Sequence, residues 1–160
     1  MTYAPPASEA LRVAYLQTVL TVDGRPASDV VVEMGSFWVL AAHNPLSEQL
    51  SAAENTERHQ TLCTRLDEMG YQSLPALGAS PDGTWAEESI AVFGAGKRPT
   101  RALGRKFGQH AVFEVTKRTL RVLGCSSRWV AQRPLKAKNW QPKPLSDRSF
   151  VEEVKAVCGA

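Results

Sequence analysis

Phe37-Trp38-Val39-Leu40-Ala41-Ala42 is the longest apolar run in the chain and shows no polar alternation. A short run without a polar face predicts a central strand covered on both sides, which Asn44-Pro45 then ends. Upstream, Ser8 followed by Glu9 to Tyr15 predicts a short capped helix after the Pro5-Pro6 leader. The β-branched content rises over Leu16 to Val22 and again over Val30 to Met34, which predicts two strands around the turn Asp23-Gly24-Arg25-Pro26. Downstream, Ser51 to Met69 is the strongest helix, with Leu62, Leu66 and Met69 along one face and Gly70 at the stop position.

Tyr71 to Leu77 and Ser89 to Phe93 then read as a hairpin across Ser80-Pro81-Asp82-Gly83. Pro99, at a first helical position, opens a second helix that runs to about Phe107 and stops at Gly108. His110 to Val115 and Leu120 to Leu123 give a last hairpin. The middle of the chain therefore reads strand, helix, strand, strand, helix, strand, the split β-α-β order of ferredoxin-like folds. The fold class expected is α+β, a mixed or antiparallel sheet with two main helices, for a domain over residues 1–125. Residues 126–160 are expected to form a basic arm, rich in Pro and Trp, and a terminal helix packed on the body or on a partner. Ser149-Phe150-Val151-Glu152 has capping-box spacing, and Phe150, Val154 and Val157 form a short apolar stripe.

Composition narrows the class without naming a function. With 43% hydrophobic and 22% charged residues in 160, the chain has enough apolar material for one core. No apolar stretch is long enough to cross a bilayer. Cys63, Cys125 and Cys158 are odd in number and widely spaced, which argues against a disulfide framework and for a reducing compartment, so a cytoplasmic location is expected.

The net charge of +3 conceals a division. Residues 1–96 carry four arginines against twelve carboxylates, a net −8, whereas residues 97–148 carry fourteen Lys and Arg against Glu114 and Asp147, a net +12. That asymmetry points to an anionic partner, nucleic acid or nucleoprotein, unless the two halves offset each other on one surface. The candidate contacts are Lys97, Arg98, Arg101, Arg105, Lys106, Arg128, Trp129, Arg133, Lys136, Lys138, Trp140 and Lys143, with the tryptophans available to stack on bases or anchor in a protein groove.

Polar residues at positions where apolar ones are expected give a second candidate. Asn55 lies seven residues before Leu62, on the inward stripe of the main helix, with Arg58 one turn later. Gln109 shares parity with Ala111, Phe113 and Val115, Glu88 begins an apolar strand, and Asn44 sits where the central strand ends. Asn44, Asn55, Arg58, Glu88 and Gln109, with Ser89 as neighbour, would suit a planar polar ligand resembling a nucleotide; equally, they would bond one another and fix loops. No nucleophile and base pair can be named among them, so the residues assign no catalytic step and leave the question of enzyme activity open.

Two other motifs do not hold. Gly94-Ala95-Gly96-Lys97 lacks the earlier glycine and the Ser or Thr of a phosphate loop. His59 and Cys63, four apart, read as a packed pair and not as metal ligands, and no cofactor or metal is expected.

The blocks Phe37 to Pro45, Leu50-Ser51 with Glu54-Asn55 and Arg58, Trp85 with Glu87-Glu88-Ser89, and Phe107 to Phe113 resemble DUF3293, an uncharacterised bacterial domain of unknown function. The likeness extends over roughly residues 10–124, with Ala41 standing where Thr or Ser is expected. It implies a small cytoplasmic bacterial or phage protein and supplies no activity. Three readings follow: a binding protein with a basic C-terminal third, a ligand-binding or processing domain using the polar crevice, and a homodimer with exchanged C-terminal arms.

Overall fold

The computed structural model describes residues 8–135. Ser8 caps α1 (Glu9–Gln17) by accepting from the Leu11 N–H at 3.2 Å. Then follow β1 (Val19–Val22), the two-residue β2 (Arg25–Pro26), α2 (Ala27–Met34) and β3 (Phe37–Leu40). After a single tight turn at Pro45–Ser47 come α3 (Ala52–Glu68), β4 (Gln72–Ala79), β5 (Ala86–Phe93), α4 (Lys97–Lys106), β6 (Ala111–Val115), β7 (Thr119–Gly124) and β8 (Val130–Pro134).

All eight strands form one antiparallel sheet in the order β2-β1-β4-β5-β3-β6-β7-β8. Its centre, β4-β5-β3-β6, is the split β-α-β arrangement expected from sequence, and β3 is buried at all four positions between β5 and β6. The sheet curls. Arg133 on β8 donates through Nε to the Leu16 carbonyl at 2.7 Å and through Nη2 to the Thr18 carbonyl at 2.9 Å, so the last strand reaches the α1–β1 junction.

Alternation along the strands divides the interior into two cores. Leu20, Val22, Phe37, Val39, Ala91, Phe93, Val115 and Leu120 pack with Ala27, Val30 and Val31 of α2. On the opposite face Trp38, Leu40, Ile90, Val92 and Val112 pack with Leu62 and Leu66 of α3, with Leu103 of α4 and with Phe107 at its C-cap. Leu62 and Leu66 are fully buried, and each such side chain is worth about 1.5–3 kcal/mol. Gly104 is needed on α4 because a Cβ there would meet Cys125 Sγ at 2.4 Å and Val112 Cγ1 at 2.9 Å.

Several expectations are corrected. Val30 to Met34 is helical, because Ala27, Val30 and Val31 share one buried face while Val32 is 67% exposed; packing at helical spacing overrides β propensity. The first helix continues to Gln17, so β1 starts at Val19 and not at Leu16. Pro99 is the third residue of α4, not the first, since Gly96 is its N-cap. Part of the segment read as an arm, Val130–Pro134, is β8, paired with β7 from Thr119 to Leu123. The terminal helix expected from Ser149 lies outside the described residues.

Candidate functional site: a knitted junction and a basic ridge

Beyond β3 the chain turns sharply. Asn44 (φ 42°, ψ 68°) and Leu46 (φ 51°, ψ 36°) both adopt left-handed backbone, which costs non-glycine residues on the order of 1–2 kcal/mol each. The surroundings hold this strain in place. The Asn44 N–H donates to Asn55 Oδ1 at 2.9 Å, Asn55 Nδ2 donates to Asn44 Oδ1 at 2.9 Å, and the Leu50 N–H donates to the same Asn44 oxygen at 3.0 Å. The Leu46 N–H donates to the Gly108 carbonyl at 2.6 Å. Gly108 itself has φ 71°, and a Cβ there would meet Pro45 Cβ at 2.5 Å, so both its conformation and its contact require glycine.

Arg58 and Gln109 complete the junction. Arg58 Nε donates to the Ala42 carbonyl at 2.7 Å and Nη2 to the Phe107 carbonyl at 2.5 Å, tying α3 to the end of β3 and to the end of α4. Gln109 Nε2 donates to the carbonyls of His43 at 3.0 Å and Phe107 at 3.2 Å. The structure thus brings Asn44, Asn55, Arg58 and Gln109 together, and their polar atoms serve main-chain groups that secondary structure leaves unpaired.

Glu88 stands at the edge of this cluster. Its exposed carboxylate lies 3.6 Å from His59 Nε2, and the His43 and His59 rings are 6.1 Å apart at 64°. His43 Nδ1, His59 Nδ1 and Asn44 Nδ2 are buried and hold no hydrogen bond. Burial holds the His43 pKa below the ordinary histidine value, and the neighbouring His59 and Arg58 add to the effect against the opposing field of Glu88. Among the described residues no group of three or more His, Cys, Asp or Glu is placed to hold a metal ion.

Ser89 is directed away from the cluster, as alternation along β5 requires. Its hydroxyl donates to the Glu87 carbonyl at 3.2 Å, and with Leu11, Ala14, Tyr15, Trp85 and Phe113 it lines a cavity of about 20 Å³ on the α1 side, room for about one water. Glu87 faces the same cavity, and burial among these apolar groups pushes its pKa up to about 8. The sequence reading passed over Glu87, although an acidic residue sharing parity with Ala91 and Phe93 was the available signal. His43 and His59 are the other members it missed as a pair; their approach depends on the turn at Asn44, which no spacing rule gives.

The cations of the C-terminal third occupy a different region. Lys97, Arg98, Arg105 and Lys106 are exposed on α4, and Arg128 is exposed on the β7–β8 loop. Arg101 Nε donates to the Gly124 carbonyl at 2.9 Å, its Nη2 to the Ser127 carbonyl at 2.9 Å, and Arg105 Nη1 to the Cys125 carbonyl at 2.8 Å, which fastens that loop to α4. Arg133 faces α1 and β1 instead. Trp129 packs beside Tyr15, ring centroids 6.5 Å apart, with the Arg12 guanidinium 5.3 Å from its ring centroid. Lys136, Lys138, Trp140 and Lys143 lie outside the described residues.

Comparison with known proteins adds a family match over part of the chain and no activity. Residues 40–112 match DUF3293, a protein family of unknown function, in agreement with the resemblance read from the sequence blocks. No curated protein and no solved structure matches the chain. The matched span runs from the last residue of β3 to the second residue of β6, and so contains every member of the junction from Asn44 to Gln109. None of the described helices is long and apolar enough to cross a membrane.

Proposed function

We propose that this chain, related to DUF3293 through residues 40–112, is a binding protein whose α4 and β7–β8 loop form a basic ridge for nucleic acid. One observation carries the reading: between Gly94 and Leu135 the only carboxylate is Glu114, and it is engaged by Arg121 at 2.8 Å. Lys97, Arg98, Arg101, Arg105, Lys106 and Arg128 therefore have no acidic neighbour in sequence along this stretch to cancel them. The twelve carboxylates of residues 1–96 belong to other elements, several of them to α3.

The ridge is suited to phosphates more than to bases. Its ten-residue helix is about 15 Å long, and the bonds from Arg101 and Arg105 hold the loop at a fixed distance from it. Trp129 is occupied by Arg12 and Tyr15, so attraction rests on charge instead of stacking by this indole.

The test is retention on immobilised DNA and RNA as salt is raised, for the natural chain and for the triple substitution Lys97→Ala, Arg98→Ala, Arg128→Ala. All three side chains are exposed, and among the described residues none of them hydrogen-bonds a main-chain group. Retention should fall steeply with salt, and the triple variant should lose roughly 0.7–0.9 from the logarithmic salt slope for each phosphate contact removed. Retention that ignores salt, or that the triple variant leaves intact, rejects the ridge.

A further inference from the structure

Glu87 is an ionisable side chain for which the fold makes no provision. It is half-buried on β5, faces the cavity beneath α1, and among the described residues its carboxyl has neither an ion pair nor a hydrogen-bonding partner. Desolvation alone raises its pKa from 4.5 to about 8, with no neighbouring cation to offset it. Tyr15 is the other titratable side chain lining the cavity. At pH 7 folding therefore takes up a proton at Glu87, and the residue lowers stability relative to an uncharged one. A position that breaks the local rule at a cost in stability is where a ligand is to be sought.

The chemistry around Glu87 selects the ligand. The Thr18 hydroxyl donates to the Ala14 carbonyl at 2.9 Å, and the Ser89 hydroxyl donates to the main-chain carbonyl of Glu87 at 3.2 Å. Each has committed its one hydrogen and keeps only lone pairs to offer. Tyr15, Trp85 and Phe113 supply aromatic walls, which attract a cation through the ring quadrupole. Gly78 pairs with Glu87 across β4 and β5 and has no side chain to fill the space; a Cβ there would meet Thr18 Cγ2 at 3.3 Å. A carboxylate, hydroxyl lone pairs and aromatic rings together match a guest that carries positive charge and donates hydrogen bonds. We propose that this cavity between α1 and the sheet binds the ammonium group of a primary amine, with Glu87 as its counter-ion. The size agrees, because a cavity of about 20 Å³ holds one water-sized group and an ammonium head is of that size. Glu87 and Tyr15 are only half-buried, which leaves the cavity reachable from solvent. The site lies on the sheet face opposite α4 and does not depend on the basic ridge.

Methylammonium is the probe, titrated into the full chain at pH 7 in a calorimeter against matched sodium chloride. Saturable binding is expected, with release of about one proton as Glu87 ionises, read from the heats in buffers of different ionisation enthalpy. Glu87→Gln removes a charge that costs stability, so it should melt no lower than the natural chain while weakening binding by about tenfold or more. Tetramethylammonium, too large for the cavity, should bind about tenfold more weakly than methylammonium. Nα-acetyl-lysine amide separates two sources of the same group: tighter binding than methylammonium assigns the site to a lysine side chain of another protein, weaker binding to a free small amine. Absence of saturable binding, binding without proton release, equal binding of tetramethylammonium, or binding that Glu87→Gln leaves intact overturns the proposal.

Discussion

α3 and α4 lie on the same face of one sheet, yet their polar residues are used in opposite ways. α3 has a complete capping box, Ser51 with Glu54, and turns Asn55 and Arg58 inward onto main-chain groups of the neighbouring turn. α4 begins at Gly96 with no side-chain cap, places Lys97 and Arg98 in its first turn against the helix dipole, and keeps them in solvent. The same residue type, arginine, serves the architecture at position 58 and lies exposed at position 98. What decides between these roles is whether an unpaired carbonyl stands within reach.

Three substitutions would sharpen or break that contrast. The largest effect is expected at Arg58→Ala, which strands the Ala42 and Phe107 carbonyls in a half-buried site; a loss of about 2–4 kcal/mol in urea unfolding is expected. A loss below about 0.5 kcal/mol would mean the junction does not depend on that guanidinium.

His43 should give an intermediate, pH-dependent effect. Its folded pKa lies below its unfolded value of about 6.5, so its contribution is fully present above that pH and is lost as the pH falls through the folded value. Thermal melting should therefore weaken on acidification below pH 6.5, and His43→Asn should flatten that part of the profile; a profile that His43→Asn leaves unchanged assigns the loss to other groups. The smallest effect is expected on α4, where Lys97→Glu should raise stability by about 0.3–1 kcal/mol through the helix dipole while weakening retention on nucleic acid. Unchanged retention would separate the first turn of α4 from the ridge.

Legibility in the sequence followed the range of the interactions involved. The central strand, α3 with its Gly70 stop, and the β4–β5 hairpin were readable because local pattern and tertiary packing agree there. α2 was misread because three successive valines favour a strand locally, and only the core beneath Ala27, Val30 and Val31 selects the helix. Within the junction, the inward direction of Asn55 and Gln109 followed from periodicity, whereas Ser89, one residue from Glu88, was misdirected by proximity in the chain. The His43–His59 approach and the half-buried position of Glu87 depend on a left-handed turn and on the cover that α1 provides, neither of which a single segment encodes.

The clasp made by Arg133 sets an order for events during synthesis. Leu16 and Thr18 leave the ribosome well before the side chain that ties them down, which is encoded more than a hundred codons later. Until translation has passed position 133 and cleared the exit tunnel, the curled sheet lacks this closing contact, and the α1–β1 junction has to wait as an unfinished edge within reach of chaperones.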